Sequence, residues 1–529
     1  MKGAALPRGL RIAFWTVMLF GIAAFAAAVQ GQWERLSSIE LHLQGRSGLD
    51  FILSDLLAPA VLMLGVSWVC FRKRTRDTGV LSWRSVLVDL SAASVCFLLV
   101  ALLGFGSVRY VMDARANRIG TEADQRWAEI GRPMPEFAKG LLPIKENASL
   151  GSLLKMLQPW GVKTLYRNDG GDPGSNNFEL PREVMDFYTS KLPMSSDRTE
   201  SADSACPHLT AKSDELEGIY KAILAQEPPA WEFDPKSGLS QRMPSGLVLR
   251  KLCQMIGVDS IRRSSNGDMQ GAADAVNAAL RVSEGFRNSR SLVAEMISCA
   301  VECLLATCVA QLPEEPHALE RMRDRADSER KNLKSALQYE AFSVLHWADP
   351  SCFPDIPSGN PFPVVVGLPR WLNRSLEMPY YHLQAAIASL ETANMVAVID
   401  KVDFGTSKDL CLQELDRASG ILTPGCLRAW LRVNVALLRE EQAEVIRYAR
   451  GRMQDGTITE HTKCPSAVIP GVTWEIIPNV SENSIALKLS RIPDWAVNSP
   501  VIGPEFYFLP LDGSKSWKFA SRTSKPTGA

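Results

Sequence analysis

Three apolar stretches crowd into the first 108 residues, and residues 109–529 follow with no further span. A helix needs about 20 apolar residues at 1.5 Å each to cross a hydrocarbon core roughly 30 Å thick. Leu10–Val29 meets this with one charge, Arg11, near its start. Phe51–Phe71 carries Asp55 near one end and Pro59 inside, and Val86–Val108 carries Asp89 near its start. A terminal carboxylate can reach the interface, and neighbouring helices can satisfy the backbone group that proline frees. The stretches read as a three-span membrane anchor over residues 1–108. A cleaved signal peptide is the competing reading of the first, which has a basic start and the small residues Ala23–Ala28. Its apolar core is longer than a signal peptide needs.

Basic residues in short loops resist translocation. Lys2, Arg8 and Arg11 precede the first span, and Arg72-Lys73-Arg74-Thr75-Arg76 with Arg84 joins the second to the third. The loop from Gly31 to Asp50 holds only Arg35 and Arg46. The expected topology is a multi-pass inner (plasma) membrane protein with its N-terminus cytoplasmic and its C-terminal domain periplasmic or otherwise extracytoplasmic.

The 58 basic and 58 acidic residues cancel, which removes the electrostatic case for nucleic acid as a partner. Of the cysteines after the spans, Cys299 and Cys303 share a helix face with Cys308 close by, and no CxxC pair occurs. The expected role is that of small buried side chains in a core helix. A disulfide among Cys352, Cys411, Cys426 and Cys464 stays open. The polar run Asn168–Asn177 lacks the side-chain oxygen and the glycine that a calcium loop requires, having Gly170 and Pro173 at those positions. No metal site and no cofactor is expected.

Helical spacing dominates the remainder, so the fold class is mainly α: the three spans, then an all-α domain, then a small antiparallel β tail. Tyr110–Gly131 reads as a stalk helix closed by Gly131-Arg132-Pro133, within a stalk and linker region over 109–213. The α-helical domain covers 214–460. Its most regular part is Gly267–Ala310, an Ala-rich helix followed by one carrying Leu292, Met296, Val301, Leu305 and Val309 at helical spacing. The pair forms a helical hairpin of the tetratricopeptide-like kind. Further helices are expected over Ala318–Tyr339, Leu383–Val402 and Pro424–Met453. Alternating segments at Gly471, Ser484 and Glu505 predict two or three strands over 461–513, and the residues from 514 read as a disordered tail.

The apolar N-terminus, the Gly131-Arg132-Pro133 close, Glu146-Asn147-Ala148, the Ala-rich hairpin and the helix-plus-strand tail together resemble a group of bacterial membrane-anchored, helix-rich proteins. That resemblance implies no known activity. The helix Arg439–Gly451 followed by strands is also similar to the end of a pseudopilin. It departs from that pattern, since no Tyr-Pro follows the glycine and no prepilin cleavage motif is present.

No phosphate loop, His-Glu-x-x-His, Gly-x-Ser-x-Gly or dinucleotide fingerprint occurs. Aromatic, histidine and arginine residues gather at His346, Trp347, Asp349, Arg370, Trp371, Tyr380, Tyr381 and His382, in an expected loop and helix start where ligand contacts concentrate. They are the candidate ligand-binding residues. The alternative is that the aromatic members plug the core beneath a long loop. The leading functional expectation is a membrane-anchored extracytoplasmic helical module mediating protein or peptide interaction in the cell envelope. The alternative is an envelope-associated hydrolase with its site near His346 and His382. Expected partners are the lipid bilayer, an envelope protein and, through small residues such as Gly21 and Ala24, a second copy of the chain.

Overall fold

In the computed structural model the described residues are 106, most of 109–166 and 207–348 and parts of 178–185, the helices between 370 and 399 and between 423 and 454, and the strands between 461 and 521. The three expected spans lie outside them. The chain divides into two compact units, Met1–Gln125 with Val344–Leu390, and Arg126–Ser343 with Glu391–Ala529. The second unit holds most of the described helices and the strands.

A helix over 109–129 ends as its sequence requires. Gly131 adopts φ 72°, and the Arg132 and Gly131 N–H groups donate back to the carbonyls of Trp127 and Ala128, which caps the orphan carbonyls of the last turn. The end of this helix packs instead of standing free as a stalk, for Trp127 is fully buried. Short helices α1 (Met134–Gly140) and α2 (Ala148–Leu157) follow. Asn147 caps α2, its side chain accepting from the Leu150 N–H and from the Ala230 N–H, so one side chain fixes both a helix start and the corner at residue 230.

The helical body comprises α3 (Ser213–Ala225), α4 (Gly246–Ser265), α5 (Met269–Arg287), α6 (Leu292–Val309), α7 (Ala318–Ala348) and α9 (Thr423–Gln454), with α8 (Arg370–Ile399) preceding the last. Helices α5 and α6 are the expected hairpin. Asp268 caps α5 and Ser291 caps α6, each accepting from the backbone N–H three residues on, the preferred N-cap chemistry. Ala272, Ala275, Ala278 and Ala279 of α5 are all fully buried, and small side chains there let α5 lie close against α3, α4 and α6. Helix α4 runs to Ser265. Its last three turns hold Asp259, Arg262 and Arg263, yet all three are buried and Asp259 pairs with both arginines. Helix α6 also packs on α4 and, most extensively, on α9.

Helix α6 meets the length and hydropathy of a span without being exposed like one. Among the described residues it alone is long and apolar enough to cross a membrane, with a mean hydropathy of 1.9, but 56% of it is buried inside the protein. It is a core helix of the stack. Cys299 and Cys308 lie buried on it, as their spacing implies, and Cys253, Cys303 and Cys464 are likewise free thiols. The other three cysteines of the open disulfide question lie outside the described side chains.

A small antiparallel sheet follows α9. Strands β1 (Thr462–Pro465), β2 (Thr473–Asn479) and β3 (Ser484–Leu489) form a meander, continued by β4 (Phe506–Leu509) and β5 (Lys518–Ser521) in the order β1-β2-β3-β4-β5. Trp474 stands opposite Leu489 and Ile476 opposite Leu487, and this face is buried while Glu475 and Lys488 lie between them on the other. The expected two or three strands are thus flanked by β1 and β5, and β5 falls within the tail that the sequence marks as disordered.

Strands β2 and β3 pack on α9, and one side chain of that helix gathers the turn before β2. Glu441, 1% exposed, accepts from Ser466 Oγ at 2.7 Å, from Trp474 Nε1 at 2.9 Å, from the Val468 N–H at 3.2 Å and from the Ala467 N–H. Burial pushes its carboxyl up from the ordinary range, and the four donors pull it back.

Candidate functional site

The residues singled out by sequence fall in the first unit. His346 and Trp347 are on the last turn of α7, which continues past the expected Tyr339 to Ala348. Arg370, Trp371, Tyr380, Tyr381 and His382 all lie on α8, whose backbone is helical from Arg370 through Pro379. The expected helix start at Leu383 is therefore an interior position, since the proline that suggests a break sits within the helix. Asp349 lies outside the described residues. His346, Tyr381 and His382 are half-buried. The gathering is thus two helix segments, in place of the expected loop.

The second unit brings together a set that sequence reasoning did not single out. Arg287 ends α5, and its guanidinium meets carboxylates from two other helices. Its Nε lies 3.1 Å from Glu295 and its Nη2 3.0 Å from Glu302, both on α6, while Nη1 donates to Glu329 of α7 at 2.6 Å. Arg325 of α7 pairs with Glu302 at 3.2 Å and forks onto Glu440 of α9 at 2.6 and 2.9 Å. Cys299 Sγ sits 3.8 Å from Glu295 Oε1. The helical period explains the geometry: Glu295, Cys299 and Glu302 recur at i, i+4 and i+7 on one face of α6, and Arg325 and Glu329 at i and i+4 on α7.

Four carboxylates here face two guanidiniums in a water-poor junction. Glu295, Glu302 and Glu329 are all buried, and removing an ion from water is costly unless its charge is matched. Burial first and then Glu302, against the pull of Arg287, push the Glu329 carboxyl up to about 8. Burial also raises Glu295 and, more strongly, Glu440. Burial works against the Arg287 charge, but Glu302, Glu295 and Glu329 together hold it above its ordinary value. Cys299 is pushed well up by burial and then by Glu302 and Glu295, which keeps it a thiol and not a nucleophilic thiolate. Among the described residues no three His, Cys, Asp or Glu side chains converge as a metal ion would require. The chemistry this arrangement offers is proton binding.

A second buried network, Asp259 with Arg262 at 2.7 Å, Arg263 at 2.9 Å and the Tyr220 hydroxyl at 2.9 Å, ties α3 to α4. Arg263 also reaches Asp268 at 3.0 Å, Asp259 is fully partnered, and the set reads as a structural clasp. The signal that could have exposed the first network is the pair Glu295 and Glu302, seven residues apart in an otherwise apolar helix. Its partners on α5, α7 and α9 have no sequence signature, because they meet only in space.

Comparison with known protein families, with curated proteins and with solved structures returned no match. The resemblances drawn from the sequence therefore rest on their short motifs alone.

Proposed function

We propose that this chain is a membrane-anchored helical module whose large domain, held outside the cytoplasm by three N-terminal spans, binds a protein or peptide in the cell envelope. The observation that carries the reading is an apolar patch where α4 and α6 begin. Leu247 is 73% exposed and Val293 51% exposed. The two helix starts touch: a Cβ on Gly246 would stand 2.2 Å from Ile297 Cδ1. Half-buried Leu292, Met296 and Ile297 border the exposed pair, so it belongs to a larger apolar surface. Such a patch on a folded domain marks a site of association more often than an isolated apolar side chain does. The zero net charge of the chain favours a partner recognised by apolar contact over a polyanion.

The test is in-cell crosslinking of the tagged full chain, extraction in mild detergent, and identification of what co-purifies, beside the Leu247→Asp/Val293→Asp double variant. A stoichiometric envelope protein captured by the native chain and lost from the variant supports the reading. Equal capture by both forms removes the patch from it. Recovery of the chain alone overturns it and directs attention to a hydrolase substrate screen around His346 and His382. Reporter fusions after residues 30, 80 and 110 test the topology, the expected pattern being out, in, out.

A further inference from the structure

We infer that Glu329 keeps a proton at neutral pH and that the junction of α5, α6, α7 and α9 is a proton-sensitive switch, tight while that proton is held and loosened when it leaves. The geometry makes the case. Glu329 Oε1 takes a 2.6 Å bond from Arg287, but Oε2, inside a side chain only 7% exposed, has no hydrogen-bond partner among the described residues. A buried carboxylate oxygen with no donor facing it is costly, whereas a carboxyl O–H there becomes a donor itself. The acceptor beside it is Glu295.

Every charged group around Glu329 fits this assignment. Arg287 of α5 is shared with Glu295 and Glu302 of α6, and Arg325, one turn away on α7, is occupied by Glu302 and the forked bond to Glu440 of α9. The remaining titratable neighbour, Cys299, is a neutral thiol. Two guanidiniums cannot neutralise four carboxylates, and a proton on Glu329, whose Oε2 faces no donor, relieves part of the repulsion, while Glu440 keeps both oxygens against Arg325. Because the folded protein binds this proton more tightly than the unfolded chain, its stabilising contribution is complete below the ordinary carboxyl range. That contribution is lost progressively as pH rises through the folded value of about 8.

Thermal unfolding of the full chain in mild detergent, from about pH 5 to about pH 9, tests this for the native protein and for Glu329→Gln, which carries the proton's hydrogen bond permanently. The native midpoint is expected to fall with rising pH more steeply than that of Glu329→Gln, and the two curves to separate at the alkaline end. Superimposable pH profiles overturn the inference. A second measurement needs no variant: infrared difference spectra of the native chain with 13C-labelled glutamate. A protonated glutamic-acid carbonyl band present at neutral pH and lost by about pH 9, together with faster amide exchange in α6 and α7, is the supporting result. Absence of the band at neutral pH, or its loss with no change in exchange, overturns the inference.

Discussion

Replacing Glu441 with alanine should release the sheet from α9 while leaving the helical stack folded. Its four donors, Ser466 Oγ, Trp474 Nε1 and the N–H groups of Ala467 and Val468, converge on one buried carboxylate. Each bond to a charged acceptor contributes roughly 1.5–3 kcal/mol, and each donor stranded without a partner costs a similar amount. The four are not additive, since two sit on adjacent amides and the turn can relax toward water. With part of the loss recovered by that relaxation, stranding these buried donors costs about 3–5 kcal/mol. The assay is amide hydrogen exchange across Thr473–Asn479 and Ser484–Leu489 in the full chain, read as a local opening free energy. At 1.4 kcal/mol per tenfold, the opening constant should rise roughly a hundred- to a few-thousand-fold. Glu441→Gln preserves the volume and one acceptor oxygen, so about half of the loss should remain. A loss below about 1 kcal/mol in Glu441→Ala, or an equal loss in both variants, would refute the view that this carboxylate is the attachment.

Other substitutions probe the packing. A Cβ at Gly285 would stand 2.1 Å from the Pro229 carbonyl oxygen, so Gly285→Ala should lower the denaturant midpoint by an amount equivalent to about 1–3 kcal/mol. Gly218, on the exposed side of α3 with nothing near its Cβ position, is the opposite case: Gly218→Ala should stabilise by about 0.5–1 kcal/mol in the same titration. Asp259→Ala should cost about 3–5 kcal/mol in that titration, because it leaves Arg262 buried without its counter-ion and Arg263 with Asp268 alone. A cost near zero would show that the guanidiniums reach water freely.

What the sequence discloses depends on how local the cause is. The α5–α6 hairpin is legible because Asp268, Ser291 and the alanine face act within a turn or two of themselves. Strands β2 and β3 are legible through alternation and β4 through its aromatic run, whereas β1 and β5, four residues each, carry neither signal. The later part of α4 is hidden because Asp259, Arg262 and Arg263 carry the composition of a surface and satisfy one another in the interior. Helix α8 is hidden because Pro379 imitates a boundary. The Arg–Glu junction draws on residues from 287 to 440, and no local rule connects Arg287 with Glu329 or Arg325 with Glu440.

Helix α6 also sets a problem of timing. Its largest packing partner, α9, is made long after it, so during synthesis an 18-residue apolar segment waits with its main covering surface missing. On the proposed topology, a translocation channel sampling that segment would meet something with the length of a lipid-crossing helix. Glu295 and Glu302, spaced along it, disfavour transfer into lipid by roughly 2 kcal/mol or more each near the centre, less toward the ends. On that topology, the same carboxylates that burden the finished core would favour passage of the segment over its retention in lipid.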